Sequence, residues 1–201
     1  MTTDRPHVGV VCFGSSAGGL RSLQAVFSGL SSDFSWAILI TQHFPSDVRS
    51  YLAEILTRGS ALSVREAVEG DILDAGVALT CPSDVEMGVA ADRTIAFRPR
   101  VPGPPESVDF LFKTAAVAAG PSVVAVVLSG MGSDGAAGTV IVKKNGGVVL
   151  VERPQTAEWG GMPTAAIRAG PVDGVLESPD IAPVLTGLVR APRGESGGRQ
   201  G

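Results

Sequence analysis

The chain has 201 residues, 44% of them hydrophobic and 18% charged, with a formal net charge of −4. That length and balance suit one globular domain with its own core. An acidic chain without a Lys/Arg block has no electrostatic footprint for nucleic acid. The N-terminal MTTDRPH lacks a signal-peptide apolar region, and the purest apolar run, Val123 to Leu128, is too short to span a bilayer. The expectation is a cytoplasmic protein without membrane insertion.

Strand-like and helix-like segments alternate along the chain. His7 to Phe13 reads as a strand and Leu20 to Leu30 as a helix, with apolar residues at Leu20, Leu23, Ala25, Val26 and Leu30. Trp36 to Thr41 is the next strand, and a helix signalled at Ser46 and Asp47 runs through Tyr51, Leu52, Ile55 and Leu56 to Gly59. Leu62 to Ala67, Gly76 to Cys81 and Thr94 to Phe97 are short strand candidates with no helix between them, read as an antiparallel insertion or edge. Four prolines make Arg98 to Glu106 a loop, after which Ser107 caps a helix to about Ala119. Ser122 to Leu128 is the clearest buried strand. A helix ending at Asn145, a strand Val148 to Val151, a helix Met162 to Ala169, a strand Val175 to Leu176 and a helix Pro179 to Val189 complete the pattern. Arg190 to Gly201 is polar and glycine-rich and reads as a disordered tail. The alternation, and a core of Val, Ile, Leu and Ala with only 5% aromatic residues, predict an α/β fold: a doubly wound, mostly parallel sheet with helices on both faces.

In such a sheet the ligand crevice lies beyond the carboxyl ends of the strands. Three loops qualify: GSSAGG after the first strand, TQHFP after the second and SGMGSDG after the long buried one. GSSAGG fits neither GxGxxG nor GxxxxGK[ST], and His43 stands where a ribose-binding acid would be needed. It does match G-x-S-x-G across a strand-to-helix turn, with Ser16 at the centre. A helix-capping turn is the plainer reading of that stretch alone. A serine nucleophile needs an adjacent base, usually an imidazole held by a carboxylate. His43 and Asp134 offer both, and of the two histidines His7 lies before the first strand, at the other end of the sheet. Asp134 could also serve as an early-turn helix acid, while Gly130, Gly132 and Gly135 around it suit exposed N–H groups able to bind an oxyanion. Cys12 and Cys81, far apart and without a CxxC, read as buried small hydrophobes, and no metal-ligand spacing is present.

With these residues in order, the chain resembles the catalytic domain of chemotaxis protein-glutamate methylesterases. The resemblance runs from about Val8 to Val189 and is carried by FGSSAGG, TQHFP, CPSDVEM, SVDFLF, LSGMGSDGAAG and GMPTAAI. It implies a Rossmann-like catalytic domain over residues 1–189 that hydrolyses glutamyl methyl esters on chemoreceptors and deamidates particular glutamines, with no cofactor and no metal. It implies Ser16 as nucleophile, His43 as general base and acid, Asp134 as the carboxylate orienting the imidazole, and the backbone N–H of Met131 as oxyanion donor. Gly18, Gly132, Glu86 and Met162 fall in its substrate-loop motifs.

Some positions depart from the family pattern. Ala17 follows the nucleophile where the family often has threonine, leaving only a backbone N–H to help the oxyanion; a lost donor can cost about 2.7 to 4 kcal/mol. Glu86 stands where histidine is frequent, and the Pro-rich loop lacks the usual His/Arg character. The family's usual phosphorylatable receiver domain does not precede the first strand, so the expectation is no receiver domain in this chain and regulation, if any, by a separate receiver or regulatory protein in trans. Two other readings stand beside this one: a serine hydrolase of the same fold acting on another ester or amide, and a non-catalytic binding module.

Overall fold

A computed structural model describes residues 8–44, 50–100 and 103–190. His7, Ser46, Asp47 and the residues 191–201 of the expected tail lie outside the described residues. The central sheet has seven parallel strands in the order β3-β4-β2-β1-β7-β8-β9. They are β1 (Val10–Ser15), β2 (Ala37–Gln42), β3 (Val64–Glu66), β4 (Ala78–Thr80), β7 (Val123–Val127), β8 (Val148–Glu152) and β9 (Gly174–Leu176). A separate antiparallel ribbon pairs β5 (Val85–Val89) with β6 (Ile95–Pro99).

Among the described residues the α-helices are α1 (Gly19–Phe27), α2 (Leu52–Arg58), α3 (Ser107–Ala119), α4 (Ala136–Lys144), α5 (Gly161–Ala169) and α6 (Ser178–Arg190). Strand alternation divides the core in two. Val10, Cys12, Val123, Ala125 and Val127 pack with the residues of α3, α4 and α5 and with the β5–β6 ribbon. Val11, Phe13, Val124, Val126 and Leu128 face α1, α2 and α6. Because β1 and β7 are covered on both faces, every residue from Val10 to Phe13 and Val123 to Leu128 is buried.

The doubly wound expectation therefore holds, with two corrections. Leu62 to Ala67 and Gly76 to Cys81 contain β3 and β4, which join the main sheet in parallel to β2 instead of forming an antiparallel unit. Periodicity marks a short strand but not its direction, which here follows from the α2 crossover returning the chain to the sheet edge. Among the described residues the antiparallel pairing is that of the ribbon and a single bridge from Ile72 to Thr94, and the ribbon's first strand, Val85–Val89, begins inside the CPSDVEM segment that carried no strand signal. Arg98 and Pro99, read as loop, end β6; a proline is tolerated there because it is the last residue of the strand.

The chain winds from β1 outward to the β3 edge and then returns to the other side of β1 as β7. Strand order reverses between β1 and β7, so the loops after those strands open the crevice. Close approach of α3 to this centre depends on Gly14: a Cβ there would lie 2.1 Å from Val108 Cγ1 and 3.2 Å from Phe112 Cζ. Gly14→Ala is expected to force α3 away from β1 and to destabilise the fold by about 1–3 kcal/mol. Urea unfolding of variant and wild type checks this; an unchanged midpoint contradicts the tight β1–α3 packing.

Candidate functional site

Ser15 and Ser16 end up in different environments. Ser15 is fully buried and its hydroxyl donates to Gln42 Oε1. Ser16, one residue beyond β1, is half-buried, and its hydroxyl is tied to no described group. β1 and β2 run in register with Ser15 opposite Gln42, and the His43 N–H continues the ladder by donating to Ser15 O at 3.0 Å. Ser16 and His43 are thus the first residues past the ends of adjacent strands, which lie about 4.8 Å apart in a sheet.

Asp134 reaches the same point from the loop between β7 and α4. Its Oδ2 lies 2.7 Å from His43 Nε2, with side-chain exposures of 11% for the histidine and 3% for the aspartate. A carboxylate only accepts, so Nε2 carries the proton and Nδ1 is the nitrogen left to act as a base. The same carboxylate also accepts from Val108 N at 3.0 Å and Asp109 N at 2.9 Å. These are the second and third N–H groups of α3, the donors an N-cap side chain would satisfy.

That arrangement corrects two expectations. Ser107 opens α3 but does not cap it: α3 has no side-chain cap of its own at Glu106, and Asp134 supplies the acceptor from 26 residues away. Nor does Asp134 serve the helix that follows it in sequence. The N-terminus of α4 is served by Asp109, whose Oδ1 accepts from Gly138 N at 2.5 Å. Two helices thus exchange caps, each carboxylate sitting at the positive end of the other's helix.

Backbone groups hold the serine turn. Ser16 N donates to Ser129 O at 2.9 Å, and Ser129 Oγ donates to Ala17 O at 2.9 Å. Gly18 turns with φ of 74°, and Gln42 Nε2 donates to Ser16 O at 2.6 Å. Gly130 needs to be glycine: a Cβ would fall 2.1 Å from Met162 Sδ and 2.9 Å from Ser16 Cβ. Met131 and Gly132 follow it, exposed, and among the described residues the N–H groups of Met131 and Ala17 donate to none. Met162 is fully buried beneath Gly130, where it shapes the loop from below.

Glu86 stands apart from this cluster. It is 4% exposed within β5 and accepts from Arg98 Nε at 2.5 Å, while the Arg98 guanidinium lies 3.8 Å over the Phe110 ring. Both cysteines are buried; desolvation raises the Cys12 thiol far above its ordinary range and pushes Cys81 up to about 12, so neither serves as a thiolate. Among the described residues no three His, Cys, Asp or Glu side chains form a metal-ligand group, and no helix is long and apolar enough to cross a membrane.

Sequence reasoning passed over Gln42, Ser129 and Arg100. Arg100 Nη1 donates to Phe44 O at 3.0 Å and Ser83 O at 2.9 Å, so the Pro-rich segment clasps the loop that carries His43. A polar residue closing a buried apolar run was the available signal: Gln42 at the end of β2 and Ser129 after Leu128. Arg100 gave none, because its partners are backbone carbonyls.

Fold and site together define an α/β protein with serine, histidine and aspartate gathered at the topological switch point. The CheB methylesterase family model matches residues 11–185, and the chain belongs to that family. Among relatives, it is 38% identical over 198 residues to the protein-glutamate methylesterase/protein-glutamine glutaminase of Moorella thermoacetica, covering 92% of this chain and 45% of that protein. It is 40% identical over 176 residues to protein-glutamate methylesterase/protein-glutamine glutaminase 6 of Anaeromyxobacter dehalogenans, covering 83% of this chain and 50% of the relative. The chain thus spans about half the length of these relatives. The crystal structure of the Thermotoga maritima CheB methylesterase catalytic domain superposes with a TM-score of 0.83 at 33% identity, over 90% of this chain and 98% of that one.

Burial raises the Asp109 carboxyl above its ordinary value, with neighbouring Asp134 adding to the shift and Gly138 N–H and Lys113 opposing it. A raised folded-state value makes the group's contribution greatest in acid and lost as pH rises through that value. Asp109→Asn keeps an acceptor for Gly138 and removes the charge. Its stability relative to wild type is therefore expected to rise between pH 3, below the ordinary aspartate value, and pH 7, read by urea unfolding at both; a pH-independent difference contradicts the assigned burial effect.

Proposed function

We propose that this chain is a single catalytic domain, extending to about residue 189, that hydrolyses glutamyl methyl esters on chemoreceptor-type signalling proteins and can deamidate glutamine side chains by the same acyl transfer. The observation that carries the reading is the 2.7 Å contact between His43 Nε2 and Asp134 Oδ2, with His43 beside Ser16 at the ends of paired strands. Family membership and the relatives' names supply the substrate class.

The chemistry follows from the geometry. Asp134 fixes the His43 tautomer, and two α3 N–H groups hold its carboxylate in place. His43 Nδ1 takes the Ser16 proton as Oγ attacks the ester carbonyl. The developing oxyanion is met by the N–H groups of Met131 and Ala17, both without other described acceptors. His43 then protonates the departing methanol, or ammonia from glutamine, and a water attacks the acyl-enzyme to release glutamate. Gly132, with open space where a Cβ would stand, leaves room for the substrate main chain at the rim, Gly18 turns the chain tightly against Ser129 and Glu158, Met162 supports the oxyanion loop, and Glu86 acts on substrate choice through the Arg98 side chain it holds. A cytoplasmic location belongs to the same reading.

Methanol release from a methyl-esterified receptor cytoplasmic fragment tests it. Ser16→Ala is expected to abolish release while remaining folded, and release at the wild-type rate by that variant overturns the assignment. Asp134→Asn is expected to lower kcat by a factor on the order of 10⁴ by presenting the wrong hydrogen-bond partner to the imidazole.

A further inference from the structure

Glu152 ends β8 and is 2% exposed, and no ion pair reaches it among the described residues. A buried carboxylate without a cation must be satisfied by hydrogen bonds. Glu152 has three. Oε1 accepts from Ser22 Oγ at 3.0 Å and from Ser178 Oγ at 2.5 Å, and Oε2 accepts from the Ser129 N–H at 2.7 Å. The two hydroxyls come from the N-terminal parts of α1 and α6, where helix dipoles favour negative charge.

Ser129 is the point at which this carboxylate meets the site. Its carbonyl holds Ser16 N–H and its hydroxyl holds the Ala17 carbonyl and accepts Trp159 N–H at 2.9 Å. The next peptide is fixed at both ends, Gly130 N–H to Trp159 O and Gly130 O to Met162 N–H, each at 2.9 Å, and Met131 follows directly. One residue therefore anchors both the nucleophile turn and the strand end from which Met131 projects. The remaining polar group of Ser129 is its N–H, and Glu152 holds it.

We propose that Glu152 is a positioning residue for the chemistry at Ser16: through the Ser129 N–H it sets the spacing between the serine hydroxyl and the Met131 N–H. This rests on the reading of Ser16 as nucleophile and Met131 as oxyanion donor. A misplacement of about 1 Å in such a constellation can cost on the order of 10²-fold in rate. Hydrogen bonding, not charge, carries the effect. A glutamine at this position still offers Oε1 to Ser129 and an amide N–H that either serine hydroxyl can accept, whereas methionine fills the space with no oxygen.

The test is the reaction of the full chain with a fluorophosphonate ester, which phosphonylates Ser16 and expels fluoride, measured as separate kinact and KI values. Folding is checked by circular dichroism and thermal melting. Glu152→Met is expected to lower kinact by about tenfold or more with KI within about twofold, and Glu152→Gln to recover to within about threefold of wild type. Wild-type kinact in folded Glu152→Met overturns the proposal, and so does a Glu152→Gln variant as slow as the methionine one. Where Glu152→Met fails to fold, Glu152→Asp replaces it: the charge is kept but withdrawn by one methylene, and a slowing of about fivefold or more is expected. Wild-type kinact there overturns the positioning role. A wild-type chain whose Ser16 does not react overturns the nucleophile reading itself, a result distinct from equal rates across the Glu152 series.

Discussion

The Asp134 carboxylate is the constraint on which the site depends. It accepts from the His43 ring and from two backbone N–H groups of α3, so the imidazole, the start of a thirteen-residue helix and the loop after β7 are tied to one pair of oxygens. Charge-assisted hydrogen bonds of this kind are stronger than neutral ones, and they are buried here, where salt screens little. Asp109 completes the exchange by serving α4. Neither helix could be displaced without disturbing the carboxylate that faces His43.

Close packing makes that exchange possible. α3 lies on β1 because Gly14 has no side chain to hold it off, and the loop after β7 lies on the Ser16 turn because Gly130 has none. Both contacts fall at the switch in strand order, between β1 and β7, where the parallel fold leaves a crevice by topology alone. Rigidity comes from the seven-stranded sheet beneath, while Ser16 and His43 sit one residue past their strand ends and Asp134 lies in the loop after β7.

Much of the fold was legible because parallel strands buried on both faces leave unmistakable apolar runs; Val10 to Phe13 and Val123 to Leu128 are of that type. What periodicity could not convey was partnership. Val64–Glu66 and Ala78–Thr80 are too short to announce their direction, and Val85–Val89 has Glu86 and Gly88 within it because its acid is neutralised by Arg98 across the ribbon. At the site, Ser16, His43 and Asp134 were readable as the polar residues following three strands. Ser129 and Gln42 were not singled out, since their roles consist in whom they bond and not in what they are.

The sequence by itself determined the α/β alternation, the two-sided burial of the central strands, and the presence of serine, histidine and aspartate in post-strand loops, because these are properties of local order and hydrophobic pattern. Only the tertiary structure decided that Ser15 is buried against Gln42 while Ser16 is accessible, and that Asp134 caps α3 and not its own helix. It also placed Glu86 in a structural ion pair and Glu152 behind the Ser16 turn. The physical reason is the same in each case: hydrogen bonds between residues 12 to 130 positions apart depend on strand pairing, strand order and helix docking, which no local pattern encodes.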